Sequence, residues 1–164
     1  MKKLLFFTPI LAFICFSFCT KPNKPSCPFC NDEILAYQSF YQDELVLGLY
    51  THKPATEGHC LIIPRRHVER FENLTEDEIT QIAMLVKKTQ NAISKAFNKD
   101  KYLLLQKNGK EVGQSVPHVH FHIIPAEQGK SANLFWAQFA ISDLFSPINS
   151  DQMEENILKI QANL

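Results

Sequence analysis

The sequence carries no excess charge of either sign: Lys and Arg total 17, and Asp and Glu also total 17. A balanced chain builds no global field toward nucleic acid polymers or anionic lipid. Binding of a phosphorylated small molecule depends on local groups and stays open. Internal repeats and low-complexity tracts are missing, which excludes solenoid architectures. Histidine is scarce, with six in 164 residues. The remaining composition, 45% hydrophobic and 21% charged, is that of an ordinary soluble globular protein. The length fits one domain that buries a core without disulfide support.

The first twenty residues stand apart from this composition. Lys2-Lys3 is a short basic segment, and Leu4 to Phe18 is almost wholly apolar. A run of that length after two lysines resembles a secretory signal more than a buried helix or a full membrane span. It stops at Cys19, followed by the polar Thr20-Lys21-Pro22-Asn23-Lys24-Pro25. A cysteine there invites a lipoprotein reading, with Cys19 lipidated, although Phe16-Ser17-Phe18 departs from the small residue expected before it. Residues 1–18 are thus expected to be a signal peptide or lipoprotein signal and 19–26 a tether. The protein is then exported, either periplasmic or a membrane-anchored lipoprotein. The alternative is tethering by an uncleaved N-terminal segment.

The few histidines are concentrated. His118, His120 and His122 alternate with Val119, Phe121 and Ile123. In a strand, successive side chains point to opposite faces, so the three imidazoles share one face about 6–7 Å apart. The bland alternative is a surface strand rich in histidine.

Along the chain, Cys27-Pro28-Phe29-Cys30 opens the domain in a loop, and Ile34 to Tyr37 reads as a short helical turn. Glu44 to Tyr50 and His59 to Pro64 read as a strand hairpin closed by Lys53 to Gly58. Thr75-Glu76-Asp77-Glu78 is a capping box. It precedes an apolar stripe of Ile79, Ile82, Leu85, Val86, Ala92, Ile93 and Phe97, which predicts a helix over Glu76 to Phe97. Tyr102 to Gln106 is a predicted strand, Lys107 to Val112 a turn, and Val116 to Ile124 the histidine strand. Leu134 to Phe139 is a helical turn, and a C-terminal helix spans Gln152 to Ile160. The order predicts an antiparallel sheet with helices packed on one side.

Three separated blocks carry a resemblance to the histidine triad (HIT) superfamily of nucleotide hydrolases and transferases. They are Cys27-x-x-Cys30, then Pro54-x-x-x-Gly58-His59-x-Leu61-Ile62-Ile63-Pro64-x-x-His67, then Asn108-Gly109-x-x-x-Gly113-Gln114-Ser115-Val116-x-His118-x-His120-x-His122. The resemblance covers residues 27–125, within a domain taken as 27–164. It implies an α+β fold with an antiparallel sheet of about five strands, one long helix and short flanking helices. It also implies a homodimer and a nucleotide or nucleotide-conjugate substrate. The phosphoramidase and dinucleoside polyphosphate hydrolase branches are the nearest in kind.

A neutral imidazole nitrogen is a competent nucleophile toward phosphorus, with an ordinary pKa of about 6.5. By the resemblance, His120 attacks the α-phosphorus, forms a nucleotidyl-histidine, and water releases the nucleotide. The other ring nitrogen of His120 should donate to a backbone carbonyl. By the same resemblance His118, His122 and His59 complete the catalytic set, and the Ser115 hydroxyl and the backbone N–H groups of the Gly113-Gln114-Ser115 turn, with Asn108 beside them, face the phosphates. Gly109 and Gly113 also read simply as a hairpin turn. No catalytic cofactor is implied.

Cys27, Cys30, His67 and His118 form a candidate zinc site. Two thiolates from one loop and two distant histidines are the donors of a closed, structural tetrahedron. In an exported chain, Cys27 and Cys30 could instead form a disulfide or stay metal-free. Cys60 reads as a small buried apolar residue.

The chain also departs from the family pattern. Lys107 stands where relatives carry Asn or Gln facing the phosphates. Thr51 stands where Asp or Asn contacts ribose hydroxyls, and threonine cannot make a two-oxygen carboxylate contact with a diol. Leu45, Leu47, Ile62 and Phe40 could line a base pocket or pack in the core. The alternative function is a catalytically weak nucleotide- or phosphate-binding protein, or a metal-binding protein of the envelope.

Overall fold

A computed structural model describes residues 27–164, the side chain of Asp143 excepted. The predicted signal, Cys19 and the tether lie outside the described residues. No helix among the described residues is long and apolar enough to cross a membrane.

The fold is α+β. Five strands form one antiparallel sheet: β1 (Ser39–Gln42), β2 (Val46–Tyr50), β3 (Cys60–Pro64), β4 (Tyr102–Gln106) and β5 (Phe121–Pro125), in the order β1-β2-β3-β5-β4. Four helices join them: α1 (Asp32–Gln38), α2 (Glu76–Phe97), α3 (Ala132–Ala140) and α4 (Ser150–Gln161).

The alternation of β2 and β3 dictates two cores. Val46 and Tyr50 on β2 and Cys60 and Ile62 on β3 face α2 and α4, where Ile82, Leu85, Ile93, Met153 and Ile160 meet them. Leu47, Leu49, Leu61 and Ile63 face the opposite way and are covered by Cys27 and Phe29 of the N-terminal loop, with Leu35 of α1. Helices therefore do not lie on one side only, because β2 and β3 are apolar on both faces and both must be covered. Gly48 admits the Phe40 ring: a Cβ there would fall 2.5 Å from Phe40 Cε2. Cys60 is fully buried in the larger core, as its apolar neighbours imply.

Helix α2 has the predicted bounds, and its capping box forms on both sides. The Glu78 N–H donates to Thr75 Oγ1 at 3.2 Å, and the Thr75 N–H donates to the Glu78 carboxylate at 2.8 Å. Ile79 departs from the predicted stripe and is exposed. Strand β1 is the element that the sequence reading lacks. It has four residues, follows directly on α1, and meets β2 with a bulge between Ser39 and Tyr41.

The histidine segment is the main correction. Its strand begins at Phe121, not Val116. Pro117 has no N–H to give to a ladder, the His118 N–H turns back to the Val116 carbonyl (2.8 Å), and the Val119 N–H goes to Val68 (2.6 Å). The alternation of faces nevertheless persists through this irregular stretch. Val119, Phe121 and Ile123 point into the α2 core, and the histidines point to the other side.

Candidate active site and metal centre

The three triad histidines have three different surroundings, each set by hydrogen bonds that assign ring protons. His120 Nδ1 lies 2.6 Å from the His118 carbonyl oxygen. A carbonyl only accepts, so Nδ1 carries the proton and Nε2 keeps its lone pair. Burial lowers the pKa of His120 and the nearby Lys107 charge pushes the same way, while the bond to His118 opposes them. The imidazole is neutral and its bare nitrogen belongs to a cavity wall.

His122 is set by His59. The Ala55 N–H donates to His59 Nδ1 at 3.1 Å, so His59 carries its proton on Nε2. That nitrogen lies 3.0 Å from His122 Nδ1. His122 Nδ1 is therefore the acceptor, and its Nε2–H remains as a donor. Burial, then the neighbouring histidines, lower both rings, His59 to about 3 and His122 to about 2. Both stay neutral, and the relay holds at any ordinary pH.

The cavity beside these rings has a volume of about 280 Å³, at the lower end for small-molecule sites. His120, His122, His59, Ser115, Gly113 and Lys107 form its polar wall. Gly113 has φ +83°, a left-handed conformation that favours glycine and lets this loop turn at the cavity edge. Thr51 also reaches the cavity. Phe29, Ile34, Leu61 and Val116 supply the apolar wall, and Phe139 of α3 closes one side with Lys107 Nζ 5.4 Å from its ring centre.

Two expected phosphate ligands are not brought there. The Asn108 side chain accepts from the Phe71 N–H at 2.9 Å and donates to Glu72 at 2.8 Å. Gln114 is turned inward: its Oε1 accepts from the Gly109 N–H at 2.7 Å, and its Nε2 donates to the Glu69 carbonyl at 2.9 Å. Both side chains tie the loop together instead of facing the cavity. Leu45, Leu47, Ile62 and Phe40 are likewise absent from the cavity wall and pack in the two cores. The sequence reading had no signal for Gln38, His52 and Phe139, which the fold brings to the wall from distant elements. Phe29 had one, its place inside Cys-x-x-Cys.

His118 belongs to a second cluster. Its Nε2–H donates to the Pro64 carbonyl at 2.9 Å, which leaves Nδ1 bare toward Cys27 Sγ (3.5 Å) and Cys30 Sγ (3.8 Å). His67 Nδ1 lies 3.4 Å from Cys30 Sγ, with Glu69 3.6 Å from its other nitrogen. The four ligand atoms fall within 4.8 Å of one another. Zinc bonds of about 2.3 Å to sulfur and 2.0–2.1 Å to nitrogen separate tetrahedral ligand atoms by roughly 3.3–3.8 Å. The donor set and the separations of 3.4, 3.5 and 3.8 Å fit a four-coordinate zinc. Cys27 and Cys30 are unbridged. Burial pushes the Cys27 thiol up to about 11, so a bound cation must displace its proton.

A family model described as the HIT domain matches residues 35–129, more than half of the chain, and the chain belongs to that family. It is 40% identical over 91 residues to the asymmetrical bis(5'-nucleosyl)-tetraphosphatase of Schizosaccharomyces pombe, covering 56% of this chain and 50% of that one. It is 35% identical over 99 residues to an adenosine 5'-monophosphoramidase of the same yeast, covering 60% of this chain and 71% of that one. The chain thus spans half of the tetraphosphatase's length. Among solved structures, a hypothetical histidine triad nucleotide-binding protein from Sulfolobus tokodaii superposes with a TM-score of 0.68 at 26% identity, covering 84% of this chain and 91% of that one.

Proposed function

We propose that this chain cleaves nucleotides at the α-phosphate through a nucleotidyl-histidine on His120, as a hydrolase or nucleotidyl transferase. One observation carries the reading: the Nδ1–H bond of His120 to the His118 carbonyl, which leaves a bare Nε2 at the cavity wall. Relatives named as a tetraphosphatase and a phosphoramidase support it.

In the first step the Nε2 lone pair attacks phosphorus, and the bond to the leaving nitrogen or oxygen breaks. The leaving group takes its proton from water. The ring then carries positive charge, which the His118 carbonyl at Nδ1–H stabilises. The His122 Nε2–H and the Ser115 hydroxyl supply donors for the non-bridging oxygens. Water next attacks the same phosphorus and gives a proton to the hydroxide left by the first step, the bond to Nε2 breaks, and the neutral ring returns.

Zinc on Cys27, Cys30, His67 and His118 would be structural, pinning the N-terminal loop to the residue that holds His120. The same reading includes a homodimer, checked by light scattering. It also includes an exported or lipid-anchored location, checked by the mass of the mature N-terminus.

The test is turnover of adenosine 5'-phosphoramidate and a dinucleoside polyphosphate by the full chain, with intact mass after brief mixing. A nucleotidyl adduct that is lost in His120→Ala, together with activity, is the expected result. Undiminished turnover in His120→Ala overturns the reading. Binding without turnover in the wild type would instead identify a nucleotide-binding protein.

A further inference from the structure

Helix α3 is out of keeping with the other helices. All of its residues are apolar except Asn133 and Gln138, and from Ser131 to Ser142 the sequence holds no charged residue. Helices α2 and α4 bury apolar side chains against the sheet, but no residue of α3 is buried. Phe135, Gln138 and Phe139, spaced to share one side of a helix, turn toward the body of the protein and are partly covered. The outward side has Ala137 and Ala140 at its centre and Asn133 at its start. Trp136 flanks it on one edge, Leu134 and Ile141 on the other, each about half exposed. Leu144, just beyond, is 84% exposed. A helix that is apolar all round is ordinarily buried, and contiguous apolar surface on a folded chain marks a contact with something else.

The sequence ahead of the fold carries an apolar run of its own. Leu4 to Phe18 is followed by residues 19–26 and then Cys27, and eight residues reach at most about 29 Å. A membrane that takes up that run, or a lipid on Cys19, therefore lies within this distance of Cys27. Cys27 is on the α3 side of the molecule: the next residues, Pro28 and Phe29, share a cavity wall with Phe139 and Ala140 of α3. The composition of the patch agrees. Tryptophan with leucine and isoleucine suits the boundary between lipid headgroups and acyl chains. A nine-residue helix, roughly 14 Å long, can lie in that boundary but cannot cross it. A second copy of the chain has another place to go, the open sheet edge at β4, where Tyr102 and Leu104 are exposed.

We propose that α3 and the turn after it dock on the surface of a lipid bilayer through Leu134, Trp136, Ile141 and Leu144. The helix lies parallel to the membrane, with its apolar side chains reaching about 5–10 Å into the boundary layer. With no charge between Ser131 and Ser142, the contact needs neither anionic lipid nor low salt. Because Phe139 and Ala140 also wall the histidine cavity, docking holds that cavity beside the bilayer. The proposal rests on the N-terminal anchoring read above and is independent of the nucleotide chemistry.

The test uses the full chain with phosphatidylcholine vesicles and reads Trp136, the sole tryptophan of the sequence. Its emission reports α3 alone, whatever holds the N-terminus. On adding vesicles the emission should move to the blue, and phosphatidylcholine brominated in its acyl chains should quench it, at low and at high salt. Leu134→Ser combined with Leu144→Ser, both at exposed positions, should lower the ratio of docked to free α3 at least about tenfold, the scale of one buried leucine. Quenching that is unchanged in this variant, or abolished by salt, overturns the proposal. So does emission that vesicles leave unaltered. If the chain then still floats with the vesicles, the anchor stands and the docking falls; if it does not float, both fall. Emission already blue without lipid, and shifted back on dilution, would put a second copy on α3 and overturn the proposal as well.

Discussion

His59 Nε2 donates to His122 Nδ1 across 3.0 Å. The Ala55 N–H, by occupying His59 Nδ1 from the other side, decides which way that proton lies. A backbone amide thus sets the tautomer of a ring two bonds away in the network. The outcome is a donor on His122 and, through the separate bond to His118, an acceptor lone pair on His120. Two histidines with one intervening residue acquire opposite hydrogen-bonding roles. This requires both to be neutral, and their burial provides for that.

His59→Ala should remove the lock without touching the His120 bond to His118. His122 then samples both tautomers, and its Nε2–H is present only part of the time. Loss of such an orienting partner typically costs about 10–100-fold, and the loss should fall on kcat more than on KM. Nitrogen NMR of the His122 ring supplies the second readout. A single Nε2–H tautomer in the wild type should become a mixture in the variant. An unchanged ring spectrum would show that the Ala55–His59–His122 chain does not set the proton.

Much of this was legible in the sequence. Period-two alternation placed the imidazoles on one side, the Gly-His and Pro-x-x-His blocks gave His59 and His67, and the capping box gave the first turn of α2. What was not legible depends on partners far along the chain. Gln114 reads as a phosphate ligand until Gly109 and Glu69 are seen to occupy its amide. Asn108 reads likewise until Phe71 and Glu72 claim it. Gln38 sits in a short, ordinary helix, and only the fold brings it to the cavity wall. Local pattern gives residue type and face; tertiary pairing decides which polar groups are left over for a ligand.

The N-terminus of α2 should make stability depend on pH. Arg66 reaches Glu78 with bonds of 3.0 and 2.8 Å. That guanidinium holds the Glu78 carboxyl below the usual range, with burial opposing. A depressed folded pKa stabilises above the unfolded value of about 4.3, and that contribution is lost as pH falls through the folded value. Glu78→Gln should therefore be less stable than wild type near pH 7, by about 1 kcal/mol given the half-exposed Arg66. The gap should narrow as the solution is acidified below about pH 4. Urea unfolding across that range checks it, and a constant gap would refute the assignment.

Gln114 connects the loop to His120. Its Nε2 donates to the Glu69 carbonyl at 2.9 Å and lies 3.5 Å from the His118 carbonyl, the same oxygen that holds His120. Gln114→Glu keeps an acceptor for the Gly109 N–H and loses both donations. The Glu69 carbonyl then loses its partner, while the His118 carbonyl keeps the His120 Nδ1–H, so the variant should lose about 1 kcal/mol, measurable by urea unfolding. The rate should fall at unchanged KM, because His120 is positioned less well while the cavity wall is intact. A loss confined to KM would mean that Gln114 contacts the substrate directly.

The metal cluster separates stability from chemistry. Cys27 and Cys30 come from the N-terminal loop, His67 follows β3, and His118 precedes β5, so one zinc would tie the N-terminal loop to two segments already joined by the Val119–Val68 and His118–Pro64 bonds. Its binding energy is then folding energy. The wild type should hold about one zinc per chain after dialysis, as a closed four-ligand site does. Chelation, or Cys30→Ala, should lower Tm by at least about 5 °C, the shift that 1–2 kcal/mol produces at this size. Because the ion touches His118 and not His120, the folded, zinc-free protein at low temperature should keep a measurable rate. An unchanged Tm together with no bound metal would show that the two thiols and two imidazoles serve another purpose. Complete loss of turnover in zinc-free protein that is still folded would assign the ion a direct part in the chemistry.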